Sequence, residues 1–304
     1  MLTSELLHRV RRLEIRTAKV VEEVIGGAYH SVFKGRGIEF DEVRNYTIDD
    51  DVRDIDWNVS ARLNAPYVKK YVEERELTVL LLVDVSGSTS FGAPGRSKYD
   101  LASEVASLLG MSAIRNHDRV GLSLFTDRTE LFLPPRSGRR HALRLIRELV
   151  AGEENRQSRR TDIAAALKDA CGVLKKRSVI FVITDLLDPS PELEKALRIA
   201  NRRHDVVVMR IFDPRELRLP PAALHCRDAE TGQSISLLSR RDRAGFIAAA
   251  EQNHAAGRTL CRRAGVEIID LACGTDPMAG LIEFFRRRRK AGRNPAVNGE
   301  AAAR

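Results

Sequence analysis

From Leu77 to Val83 the chain runs seven residues without a charge, Leu-Thr-Val-Leu-Leu-Leu-Val, and then reaches Asp84. A run so short and so uniformly apolar predicts a central strand buried on both faces, as parallel sheets require. Downstream, runs of this kind alternate with helical spacing. Strands are expected over 120–125, 178–183, 205–212 and 266–271, with a short antiparallel return over 129–133 after the turn at Asp127-Arg128. Helical periodicity puts Leu101, Val105, Leu108 and Leu109 on one buried face, and Ile163, Leu167, Ala170 and Leu174 on another. Further helices are expected over 141–150, from Ser190-Pro191, over 243–264, and from Asp276-Pro277 with Leu281, Phe284 and Phe285 turned inward. Ser97 and Asp100 have the spacing of a capping box. The alternation predicts an α/β fold, doubly wound on a mostly parallel sheet. Residues 224–238 break the rhythm: two short runs flank Glu230-Thr-Gly, the pattern of a hairpin insertion.

The two ends have other textures. Leu6, Val10, Leu13, Val20 and Val24 share a helical face, so residues 2–25 read as an amphipathic helix docked on the domain and closed by Gly26-Gly27. Its opposite face carries both signs of charge, which leaves peripheral membrane contact as the lesser reading. Residues 28–76 are polar and rich in Arg and Asp, with Tyr29, Phe33, Phe40, Tyr46, Trp57, Tyr67 and Tyr71 as aromatic anchors. Short strands and turns are expected there, with Val52, Asp54 and Asp56 in extended chain. Arg36, Arg44, Arg53 and Arg62 are placed to neutralise nearby carboxylates. Asp49-Asp50-Asp51 suits Asx turns and Arg pairing better than a cation. The expected organisation is an N-terminal helix and extension over 1–76 packed on the main domain, a main domain over 77–289 with an insertion near 213–239, and a flexible tail over 290–304.

Composition narrows the function classes. The 304 residues are 43% hydrophobic and 31% charged, ordinary for a globular protein. The net charge of +9 is concentrated at one end: from Arg286 to Arg304 there are seven basic residues and one acidic, leaving +3 for the rest. Nucleic-acid binding through Arg286-Arg-Arg-Arg-Lys lacks aromatic platforms or a reader motif, and a solvated helix end explains the run better. No run approaches the roughly 18 apolar residues of a membrane span, and no secretory signal is readable. Cys171, Cys226, Cys261 and Cys273 form no paired spacing, so reduced, buried thiols in a cytoplasmic protein are expected.

The candidate chemistry lies where the strands end. In a parallel α/β sheet, ligands bind beyond the carboxyl ends of the strands. Asp84, Ser86 and Ser88 leave the first strand at alternate positions, Thr161 opens a helix, and Asp185 follows the strand at 178–183. Two carboxylates and three hydroxyls, with no His, Cys or Met, suit a small hard dication: Mg²⁺, with Mn²⁺ or Ca²⁺ as alternatives. Two negative charges roughly cancel the ion, leaving it able to accept an Asp or Glu from a partner protein.

These five residues resemble the metal-ion-dependent adhesion site of the von Willebrand factor A fold, whose pattern is Asp-x-Ser-x-Ser, then a Thr, then an Asp. Asp84, Ser86, Ser88, Thr161 and Asp185 match it in order. The upstream block is closer still to the bacterial DUF58 family. It includes Phe33-Lys-Gly-Arg-Gly-Ile-Glu-Phe, Val43-Arg-Asn-Tyr, Asp50-Asp-Val-Arg-Asp-Ile-Asp-Trp, Ser60-Ala-Arg, Pro66-Tyr-Val-Lys and Glu73-Glu-Arg-Glu-Leu-Thr-Val. The resemblance covers residues 5–219 well and extends less distinctly to Phe285. It departs at Asp49, where the family often has Gly, and at Thr89, where Met is frequent.

The resemblance implies a von Willebrand factor A-type domain and a non-enzymatic, metal-dependent protein-binding module. Its implied partners are a MoxR-type AAA+ ATPase and a client protein, in the manner of an adaptor or co-chaperone. The rival is a metal-assisted phosphoester hydrolase with Asp84 in the reacting role. No second acid stands at position 86, no lysine is evidently opposed to Asp84, and neither a P-loop nor a nucleophile elbow is present.

Overall fold

A computed structural model describes residues 39–48, 50–72, 76–93, 96–154 and 160–290. The expected helix over 2–25, Tyr29, Phe33 and Arg36, and the tail from 291 onward lie outside them. The described residues fall into two units, one within 39–77 and one over 78–290.

The smaller unit is an antiparallel pair, β1 (Glu39–Asn45) and β2 (Tyr67–Val72), joined through a short helix, α1 (Trp57–Leu63). The extended reading is corrected at Val52 and Asp54, which lie in a single 3-10 turn (Val52–Asp54); Ile55 and Asp56 are extended, and α1 starts at Trp57. The cause is capping. The Asp51 side chain accepts from Arg53 N, and the Asp56 side chain accepts from the backbone N–H groups of Asn58 and Val59, so each of these two acids starts a helical turn. The expected pairing of Arg44 is present, with both guanidinium nitrogens on Asp50 and the carboxyl held down to about 2. Trp57 is not an anchor; it is 68% exposed.

The larger unit is built on a six-stranded sheet. Its strands are β3 (Thr78–Asp84), β6 (Arg119–Phe125), β7 (Thr129–Arg136), β8 (Val179–Thr184), β9 (Asp205–Phe212) and β12 (Glu267–Ala272). The spatial order is β12-β9-β8-β3-β6-β7, with every neighbouring pair parallel except the antiparallel hairpin β6–β7. This is the expected doubly wound, mostly parallel α/β sheet. Two minor hairpins sit outside it, β4 (Gly92–Ala93) with β5 (Arg96–Ser97), and β10 (Leu224–Arg227) with β11 (Ser234–Leu237). The second is the insertion read from residues 224–238.

Helices α2 (Lys98–Arg115), α3 (Arg139–Glu154), α4 (Ile163–Val173), α5 (Pro191–Arg203), α6 (Pro214–Leu217), α7 (Arg240–Ala264) and α8 (Pro277–Lys290) join the strands. Leu80 and Leu82 of β3 pack in one core with Ile163, Leu167, Leu193, Leu197 and Leu260. Their neighbour Leu81 points the other way, where a side chain at Gly110 of α2 would touch it. A strand covered on both faces has no polar side to show, which explains the unbroken apolar run. Ser97 caps α2 in a full capping box with Asp100, and Ser190 caps α5. The basic run at the end of α8 is not all solvated as expected: Arg288 is buried, with Nη2 2.5 Å from Asp205 and Nε 3.2 Å from Glu267. Among the described residues no helix is long and apolar enough to cross a membrane.

Candidate metal centre

The site begins with strand order. The chain lays down β3, builds outward through β6 and β7, and returns to add β8 against the other side of β3. Val83 stands opposite Ile183, so the chain leaves both strands side by side. A crevice opens at such a reversal, outside the carboxyl ends. Asp84 and Asp185 therefore arrive together from distant parts of the sequence.

Asp84 is fully buried. Its Oδ1 accepts from Ser86 N (2.9 Å), and its Oδ2 accepts from the Thr184 hydroxyl (2.7 Å). Burial, with the neighbouring Asp185 charge second, pushes its pKa up to about 7 in spite of those donors. The Ser86 and Ser88 hydroxyls lie 3.0 Å apart on the turn that follows. Thr161 stands beside Asp162, which caps α4, and is brought in because Asp162 N donates to Thr126 O beyond β6. After Asp185 the backbone of Leu186 enters the left-handed region (φ 54°), rare for a residue with a branched side chain. Its N–H reaches Thr184 Oγ1 at 3.2 Å, and its side chain is buried.

All five expected residues meet at this edge, and three others join them. Lys98, at the start of α2, is 1% exposed and places Nζ 2.8 Å from Asp185 Oδ2 and 2.7 Å from Glu216 Oε1. Burial alone would lower its pKa, but Asp185 and Glu216 outweigh that and raise it. The expectation concerned a lysine opposed to Asp84; Lys98 pairs with Asp185 and Glu216. Glu230, in the turn between β10 and β11, accepts from the Thr161 hydroxyl at 3.1 Å and lines the same groove as Ser88. Burial pushes its carboxyl upward, with Asp185 and Asp228 adding to the shift against the two hydroxyls.

The donor set suits a hard dication. Lys98 pairs with Asp185 and Glu216, while Asp84 and Glu230 lie near Asp185 with carboxyls that burial and its charge push upward, a strain that a doubly charged ion would relieve. Two hydroxyls 3.0 Å apart, those of Ser86 and Ser88, with that of Thr161 lining the same groove as Ser88, offer neutral oxygens of the kind Mg²⁺ accepts. Among the described residues no three His, Cys, Asp or Glu side chains are grouped to hold a metal, so any ion here depends on the hydroxyls. A groove of about 1470 Å³ runs from these groups; Ser88, Lys98, Thr161 and Asp185 line it together with apolar side chains such as Ile199 and Phe246.

Among curated proteins the chain is similar to "Uncharacterized protein Rv1480" of Mycobacterium tuberculosis, 30% identical over 291 residues, 94% of this chain and 90% of that one. It is also similar to "Uncharacterized protein MAV169" of Mycobacterium avium, 28% identical over 52% of this chain and 94% of that one. Similar solved structures include BatB from Bacteroides thetaiotaomicron, at 17% identity and TM-score 0.47, covering 70% of this chain and 99% of that one. The VWA domain of SpRpn10 is another, at 12% identity and TM-score 0.36, covering 69% and 95%. A family model described as "Protein of unknown function DUF58" matches residues 42–256, which take in the smaller unit from Glu42 onward, the whole carboxyl-edge cluster and the hairpin, so the chain belongs to the DUF58 family.

Proposed function

We propose that this chain is a non-enzymatic protein-binding module whose docking depends on a divalent ion, Mg²⁺ by preference. Asp84, Ser86, Ser88, Thr161 and Asp185 hold the ion, directly or through water. When bound, the ion supplies a Lewis-acidic position for one carboxylate of a partner. The chain's own residues do the rest. Thr184 and Ser86 N orient Asp84, and Lys98 holds Asp185 from the other side. The family resemblance adds the partner classes, a MoxR-type AAA+ ATPase and a client protein, with this chain acting as adaptor or co-chaperone.

One observation carries the reading: three hydroxyls and two buried carboxylates from separate loops converge at the strand reversal, a donor set for hard-ion binding. The test is recovery of partners from a lysate with and without Mg²⁺, using wild type and Ser86→Ala. Recovery that needs Mg²⁺ and is lost in the variant supports the reading. The same partners at equal yield in every arm overturn it. The variant should stay folded, since the hydroxyl's side-chain partner is Ser88 and loss of such a bond costs about 1 kcal/mol.

A further inference from the structure

Glu230 belongs to none of the elements that build the sheet. It sits in the turn of the β10–β11 hairpin, inserted between β9 and α7, and yet it reaches the centre of the carboxyl-edge cluster. The turn is shaped to aim it. Asp228 Oδ1 accepts from the backbone N–H groups of both Glu230 and Thr231 at 2.8 Å, and Gly232 supplies the positive φ (72°) that returns the chain into β11. The hairpin is also pressed against the metal loop. A Cβ added at Gly87, between Ser86 and Ser88, would lie 2.3 Å from the carbonyl oxygen of Ala229. Only glycine permits that approach.

The hydroxyl bound to Glu230 is that of Thr161, one of the expected ion ligands, and the turn that carries Glu230 is pressed against the loop that holds two others, Ser86 and Ser88. A hydroxyl has one proton and two lone pairs, so it can face an ion with a lone pair while donating its proton to a carboxylate. A carboxylate held by such a ligand would lie beside an ion bound at these loops, where a partner's acid would otherwise go.

Resting on the reading of the site as an ion-dependent docking position, we propose that Glu230 is the chain's own carboxylate ligand: it coordinates the ion and occupies the partner's position. Docking is then an exchange in which an incoming Asp or Glu displaces Glu230 and lifts the hairpin turn from Gly87. A tethered ligand competes at an effective concentration of roughly millimolar, so only a partner with further contacts wins the exchange. The groove beside the site, with Ile199 and Phe246 in its lining, offers such contacts.

The experiment uses Mn²⁺ as the probe, with the full chain as wild type, Glu230→Gln, Glu230→Ala and Ser86→Ala. Electron paramagnetic resonance gives the affinity, and water-proton relaxation gives the number of exchangeable waters on the bound ion. Circular dichroism establishes that each variant is folded. Both Glu230 variants are expected to bind Mn²⁺ at least about tenfold more weakly than wild type. They are also expected to carry more exchangeable water, and added acetate should displace that water in the variants but not in wild type. Glu230→Gln is the arm least prone to disturb the turn. Bound Mn²⁺ with the same hydration in wild type and both Glu230 variants overturns this proposal and leaves the docking reading standing. Failure of wild type to bind Mn²⁺, or binding by Ser86→Ala as tight as wild type, overturns the ion reading itself, and this proposal with it.

Discussion

At position 87 a single methyl group separates two arrangements of the molecule. Gly87 has an ordinary negative φ, so what demands glycine is the Ala229 carbonyl and not the backbone. Gly87→Ala is expected to push the hairpin off the loop and lower stability by about 1–3 kcal/mol, the usual cost of overpacking. Hydrogen exchange checks it: protection should fall over residues 224–237 and stay unchanged in β3. At this level the sequence was partly legible. Asp84, Ser86 and Ser88 could be read because they follow one buried strand at alternate positions. Lys98 was hidden inside a capping box, where Ser97 and Asp100 account for the local pattern. Glu230 looked like an ordinary turn residue, and its role depends on a contact with residues far away in the chain. One signal was available: a hairpin inserted after β9 at the edge where ligands bind is placed to cover that edge.

Elements were more legible than single residues wherever burial sets the period. The run before Asp84 and the helix faces at Leu101–Leu109 and Ile163–Leu174 all fall as their spacing predicts. Residues 52–54 misled because their mix of polar and apolar residues mimics a strand, when Asp51 before them is in fact the cap of a 3-10 turn. Arg288 was legible after the fact: it stands seven, four and three residues after Leu281, Phe284 and Phe285, on the buried face of α8. A second buried arginine joins three elements. Arg210 of β9 donates through Nε to Asp270 of β12 (2.6 Å) and through Nη1 to the His254 carbonyl of α7 (2.6 Å), while Arg258 binds the other oxygen of Asp270. Burial would raise the Asp270 pKa, but the two guanidinium groups outweigh it and hold the carboxyl below its usual value. An acid with a depressed folded pKa contributes stability above its unfolded value, about 3.9, and loses it as pH falls through the folded one. Asp270→Asn is therefore expected to cost about 3 kcal/mol at pH 7, because Arg210 stays buried without its counter-charge. In urea titrations the gap between wild type and variant should shrink steadily below pH 4; a gap independent of pH would refute the assignment.

For the whole molecule, the alternation of elements was enough to give a doubly wound sheet, but not the order of its strands. Nothing in the apolar runs says that β8 returns beside β3 and not beside β6, and it is that choice which brings Asp185 to Asp84. The five candidate ligands were collected in advance from strand ends and a helix start, and the family pattern matched them in order. Geometry then added an ammonium and two acids that the pattern does not contain. The ammonium has a consequence for how the protein responds to chelators. In a zinc finger the metal supplies the folding free energy, and its removal unfolds the chain. Here Lys98 is a covalently attached cation already seated between Asp185 and Glu216, so those two acids are not left bare when an ion departs, and Asp84 keeps the Ser86 N–H and the Thr184 hydroxyl. Treatment with EDTA should thus abolish Mg²⁺-dependent partner recovery while leaving the far-ultraviolet circular dichroism spectrum unchanged: a protein that can be emptied without being unfolded.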